Sequence, residues 1–171
     1  MCIRDSIGSA KEIKETTGAK VAMHQREKDY LEKSVDPPAP PGVTTWGRVL
    51  GGLVSKAAAA SSIVVPATDV DVVLGDEAFS LADYGIPGRV IYTPGHSAGS
   101  VSVLLETGDA FVGDLAMNGV PLRLSPGLPI FAEDIGQVEK SWRTLLDAGA
   151  ETVYPGHGKP FSADAIRKVL L

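Results

Sequence analysis

The tripeptide Pro-Gly-His occurs twice in this chain, as Pro94-Gly95-His96 and Pro155-Gly156-His157, each time directly after a short β-branched or aromatic run. A strand carries the chain to one edge of a sheet, proline and glycine end the pairing and bend the backbone, and the imidazole emerges where the loop begins. Two of the three histidines are delivered in this way. Between them, Ala110-Phe111-Val112-Gly113-Asp114 repeats the pattern with a carboxylate in place of the imidazole. Two histidines and one aspartate at strand ends form a metal-ligand set.

The rest of the chain reads as alternating helices and strands. Ser9 followed by Glu12 has the form of a capping box opening a helix through Ile13, with Gly18 placed to end it. Lys20 to Met23 reads as a strand, Arg26 to Lys33 as a short polar helix, and the proline-rich run Asp36 to Gly42 as an exposed linker. Trp46, Val49, Leu50, Leu53 and Val54 recur at helical spacing. Gly47, Gly51 and Gly52 weaken that helix by about 1 kcal/mol each relative to alanine. Strands are expected over Val70 to Leu74, Ala78 to Ala82, Arg89 to Tyr92, Ser100 to Leu105, Ala110 to Gly113 and Glu151 to Tyr154. Glu106 to Asp109 turns the chain between two of these strands, which directs Asp114 back toward His96. Ile135, Val138, Trp142, Leu145 and Leu146 make one apolar helix face, and Ser162 caps a last helix.

Composition excludes several partners. The net charge is −5 and no Lys or Arg cluster occurs, which argues against a nucleic-acid surface. Cys2, the only cysteine, cannot form an internal disulfide, and the N-terminus carries no apolar run of signal length. The apolar stretch near Trp46 is interrupted by Arg48 and Lys56. The expectation is therefore a cytoplasmic protein that acts on a small-molecule substrate and binds neither nucleic acid nor membrane.

A rival reading uses the same residues. Gly95-His96-Ser97-Ala98-Gly99 satisfies Gly-X-Ser-X-Gly, the nucleophile elbow of serine hydrolases, and Asp114 and His157 follow in the order of that triad. An elbow must lead from a strand straight into a helix. Ser100-Val101-Ser102-Val103-Leu104-Leu105 instead alternates like a strand, so Ser97 is read as a support of the His96 loop rather than as a nucleophile. His24 follows a strand without a partner motif and is given no role.

Thr93-Pro94-Gly95-His96-Ser97-Ala98-Gly99-Ser100, then Val112-Gly113-Asp114-Leu115, then Val153-Tyr154-Pro155-Gly156-His157-Gly158 resemble, in order, the later metal motifs of the metallo-β-lactamase-fold hydrolases. The resemblance runs from about Ile7 to the C-terminus. It implies an α/β fold, a four-layer αββα sandwich with helices outside two mixed sheets and the site at one edge between them. It also implies that His96 is the third ligand of a first metal, Asp114 the carboxylate bridging both metals, and His157 a ligand of the second. The cofactor would be zinc, two ions per complete site, with manganese or iron as alternatives.

The chain also departs from that family. The first motif, His-X-His-X-Asp-His, belongs immediately before Ile7-Gly8-Ser9-Ala10, and Met1, Ile3, Asp5 and Ser6 occupy its four ligand positions. Only Asp5 keeps a ligand type, whereas a catalytic zinc needs three protein ligands. Residues 1–171 are therefore expected to be a single metallo-β-lactamase-fold domain, truncated on its N-terminal side, with residues 1–6 foreign to it. An unpaired sheet edge and exposed apolar surface would follow. The expected function is metal-dependent hydrolysis of an ester, thioester, lactone or related bond by metal-activated hydroxide, with this chain an inactive or weakly active fragment. The alternatives are a non-catalytic binding module of the same fold and a serine hydrolase acting through Ser97. Substrate contacts are expected from the linker with the Trp46 helix, and from an apolar wall of Leu122, Leu124, Leu128, Ile130 and Phe131.

Overall fold

The computed structural model describes residues 7–59, 65–120 and 122–171. Cys2, Asp5 and the rest of Met1 to Ser6 lie outside the described residues, as do the side chains of Leu53 and Val54. Helix α1 (Ala10–Thr17) ends at Gly18, whose left-handed backbone lets its N–H reach the Lys14 carbonyl at 2.9 Å. The expected capping box does not form, because Ser9 lacks the extended backbone of an N-cap and its side chain caps nothing. Strand β1 (Ala22–His24) pairs in parallel with β2 (Val72–Leu74) as a separate two-stranded sheet. Between them run α2 (Lys28–Glu32) and α3 (Thr45–Ala59).

The larger sheet has six strands in the order β3 (Phe79–Ser80), β4 (Gly88–Tyr92), β5 (Val101–Leu105), β6 (Asp109–Met117), β7 (Thr152–His157) and β8 (Phe161–Ser162). Its pairings are antiparallel except for the parallel β6–β7 pair. The strand expected over Ala78 to Ala82 shrinks to β3, because the Ser80 hydroxyl accepts the Ala82 N–H and starts a 3-10 turn over Ala82–Tyr84.

Two further differences matter for the site. β6 does not end at Gly113 but continues to Met117 through register shifts on either side of Gly113, so Asp114 sits in an irregular stretch of a strand. Likewise Pro155 and Gly156 do not stop β7, which runs on to His157 opposite Met117. Proline is tolerated there because the irregular register leaves no regular ladder bond for its missing N–H to break.

Helices α4 (Ile135–Asp147) and α5 (Asp164–Leu170) pack one face of this sheet. Val138, Trp142 and Leu145 from α4 and Ile166 from α5 are fully buried with Leu104, Ala110, Val112 and Val153. Each such large side chain contributes about 1.5–3 kcal/mol. Trp142 also donates its indole N–H to the Leu115 carbonyl at 2.9 Å, which ties α4 to the strand that carries Asp114. On the other face Phe111, 46% exposed, stacks on Tyr154 with ring centroids 4.7 Å apart.

The expected apolar wall of Leu122, Leu124, Leu128, Ile130 and Phe131 does not form. Ile130 and Phe131 are buried with Met117, and Leu128 is buried in the main core, because α3 and the end of the linker close over this segment. Leu124 projects into solvent, and Leu122 is half-buried against Met117 and its neighbours.

Candidate metal centre

Three separate elements bring His96, Asp114 and His157 together. His96 follows β4, in the loop that closes onto the start of α4: its carbonyl accepts from the Glu133 N–H and the Gly95 carbonyl from the Asp134 N–H. Asp134 in turn caps α4 by accepting from the Gln137 N–H at 3.0 Å. Asp114 comes from β6. His157 ends β7, where its carbonyl accepts from the Asn118 N–H at 3.0 Å.

The carboxylate is shared between the imidazoles. Asp114 Oδ2 lies 3.6 Å from His96 Nε2, and Asp114 Oδ1 lies 3.4 Å from His157 Nε2. The His96 and Asp114 side chains are nearly buried, and that of His157 is about one-third exposed. His96 Nδ1 lies 2.9 Å from the Phe131 carbonyl oxygen. A carbonyl oxygen only accepts, so Nδ1 donates its proton to Phe131 and Nε2 is the ring atom that faces Asp114.

That arrangement tests the donor set. Nε2 and the Asp114 carboxylate face each other at 3.6 Å, a spacing that a cation between them would bridge. Nitrogen and oxygen ligands bound at 2.0–2.1 Å around tetrahedral zinc are about 3.4 Å apart, close to both spacings seen here. His96 held through Nδ1 by a backbone carbonyl is also the usual support of a metal-binding imidazole. The residues fit the edge of a binuclear centre, one imidazole and one carboxylate oxygen on each side. They do not complete it: among the described residues no group of three or more His, Cys, Asp and Glu converges to hold an ion.

A cavity of about 210 Å³ adjoins the site, lined among others by His24, Glu27, His96, Ser97 and Asp114. His24, without a role from sequence, is buried here. Its ring stacks on Tyr92 at 4.5 Å, its Nδ1 accepts from the Arg26 N–H, and its Nε2 lies 3.2 Å from Asp76 Oδ1. Ser97 Oγ pairs with Ser100 Oγ at 2.8 Å, and the chain beyond enters strand β5 rather than a helix, so the elbow geometry is absent.

A family model described as the metallo-beta-lactamase superfamily matches residues 5–157. A lactamase-like protein of Pestalotiopsis microspora is 30% identical over 95 residues, 55% of this chain and 27% of its own length. The chain therefore matches only about a quarter of that relative. Among solved structures, an archaeal metallo-beta-lactamase superfamily protein, ST1585 from Sulfolobus tokodaii, superposes with a TM-score of 0.65 at 21% identity. The match covers 95% of this chain and 61% of that one. TTHA1623, solved in a di-iron-bound form, gives 0.56 at 20% identity over 94% of this chain and 68% of its own. At these identities the structural likeness establishes the fold.

Proposed function

The chain belongs to the metallo-beta-lactamase superfamily, and from that premise we propose that it carries part of the centre of a metal-dependent hydrolase acting on a small molecule with an ester, thioester, lactone or related bond. The observation that supports this most is the orientation of His96: its Nδ1–H is taken by Phe131, so Nε2 faces the Asp114 carboxylate. His96 would serve one ion, His157 the other, and Asp114 both. The chemistry that two divalent ions supply in such a site is acidification of a water molecule and polarisation of the scissile carbonyl. Zinc suits imidazole and carboxylate donors, and iron or manganese is the alternative; the di-iron form of TTHA1623 supports iron as a candidate.

The chain's own residues do the remaining work. Asp114 would offset the positive charge of ions held beside His96 and His157, since one of its oxygens faces each ring. The Phe131 carbonyl keeps His96 in the tautomer that can ligate. The near-burial of His96 and Asp114 lowers the local dielectric, which strengthens charge interactions there. With only two ligands per ion among the described residues, the proposed activity of the 171-residue chain alone is low.

The test is calorimetric titration of the chain with zinc, beside the variants His96→Ala, His157→Ala and Asp114→Ala. Each histidine variant is expected to weaken one class of site at least about tenfold, and Asp114→Ala to weaken both. Equal, weak binding by all four proteins would sink the reading.

A further inference from the structure

We propose that Glu27 is a positioning residue for His96, acting through the backbone of the turn that follows it; the inference rests on the metal-centre reading above. Glu27 stands at the N-cap of α2, yet its side chain caps nothing in that helix. Its carboxylate crosses instead to a segment 72 positions away, where Oε1 accepts the Gly99 N–H at 2.8 Å. Both partners are buried. The approach is so close that a Cβ on Gly99 would come within 2.6 Å of Glu27 Cγ. The contact therefore depends on glycine at one end and on a side chain of glutamate length at the other.

What Glu27 holds is the turn that presents His96. That turn closes through the Ser97 N–H and Ser97 Oγ on Ser100 Oγ, and through the Ser100 N–H on the Ser97 carbonyl. Its outer side is held a second time, because the Tyr92 hydroxyl donates to the Ala98 carbonyl at 2.9 Å. Arg26 holds the Tyr92 hydroxyl and lies over its ring, and is itself paired with Asp76 at 2.9 Å. The His96 ring is thus fixed on one side by Phe131, and its backbone is fixed on the other by the segment following β1. Loss of the Glu27 contact frees Gly99 and lets the His96 Nε2 direction wander relative to Asp114. Outer-layer supports of this kind are worth about 10–100-fold in metal affinity.

The test compares Glu27→Met, which keeps the bulk but not the acceptor, with Glu27→Gln, which keeps an oxygen for Gly99. Amide exchange at Gly99, the His96 imidazole resonances and cobalt titration followed by absorption are the readouts. Glu27→Met is expected to speed Gly99 exchange and broaden or shift the His96 resonances. It should also weaken cobalt binding at least about tenfold, and Glu27→Gln should restore all three. Unchanged Gly99 exchange and His96 resonances in a folded Glu27→Met protein would overturn the proposal. If the parent chain binds no cobalt but Glu27→Met still disturbs Gly99 and His96, the metal reading fails and the positioning role stands. Glu27→Ala replaces methionine if that variant does not fold; failure of both to fold would show Glu27 to be a folding determinant and overturn the proposal.

Discussion

Asp76 has no place in any sequence motif, yet it lies beside a buried histidine and an arginine at once. The hydrogen bond from Arg26 holds its carboxyl below the usual carboxylate range, with a smaller contribution from His24. A depressed folded pKa contributes stability that is present above the unfolded value near pH 4 and lost as pH falls through the folded value. Asp76→Asn is therefore expected to lower the urea midpoint at about pH 7, with the difference from the parent shrinking as pH is taken to about 2.5. A gap that stays constant across that range would refute the linkage. His24 and Asp76 escaped sequence reasoning because they meet through the parallel register Ala22↔Val72 and His24↔Leu74, which joins segments 50 residues apart. The signal available was a carboxylate just beyond one apolar run and a histidine at the end of another, visible only once the two runs are paired. His96, Asp114 and His157 stand out in the sequence because each closes its own β-branched or aromatic run, although in the structure only His96 lies beyond its strand, Asp114 sitting within β6 and His157 ending β7.

The two Pro-Gly-His copies look alike as sequence but behave differently as elements. The first ends β4 and opens a loop, whereas the second continues β7 beside β6 through an irregular parallel pairing. Proline and glycine rules are local, and the pairing partner that carries β7 onward is about 40 residues away, so turn chemistry alone could not foresee it. The junction is tight. A Cβ on Gly158 would lie 1.6 Å from the Asn118 carbonyl oxygen, and the φ of +107° is one that side-chain-bearing residues rarely adopt. Gly158→Ala is therefore expected to cost at least about 2 kcal/mol in urea unfolding and to weaken zinc binding through His157. Near-neutral stability would show that the β6 and β7 ends separate without cost. After β4, strand β5 begins within a few residues of Ser97, as the alternation of Ser100 to Leu105 predicted. Ser97→Ala is expected to change stability by no more than about 1.5 kcal/mol, the value of its one hydroxyl contact. A fluorophosphonate probe should not label the parent chain; labelling at Ser97 would restore the nucleophile reading.

For the molecule as a whole, the order of helices and strands was largely readable, because each element carries its own period and its own stop signals. The division into a six-stranded mixed sheet and a separate parallel pair was not, since it depends on which distant strands pair. The same distinction governs function. The described site holds two imidazoles and one carboxylate, arranged so that each carboxylate oxygen faces one ring. Two ions sharing these donors would have two protein ligands each, whereas a catalytic zinc generally has three. A loosely held ion cannot reliably bring the pKa of its water toward 7. The 171-residue chain is therefore expected to bind metal weakly and to show little turnover across an ester, thioester and lactone panel. Joined through Ile7 to a segment bearing a complete His-X-His-X-Asp-His motif, the same residues should retain two ions through gel filtration and gain activity on at least one class. Both proteins must first be shown soluble and monodisperse, because the partly exposed Phe111 and Tyr154 face invites association. If the 171-residue chain holds two equivalents tightly and turns over substrate as fast as the extended protein, the ligand count set out here is wrong and a third donor must come from elsewhere in the chain.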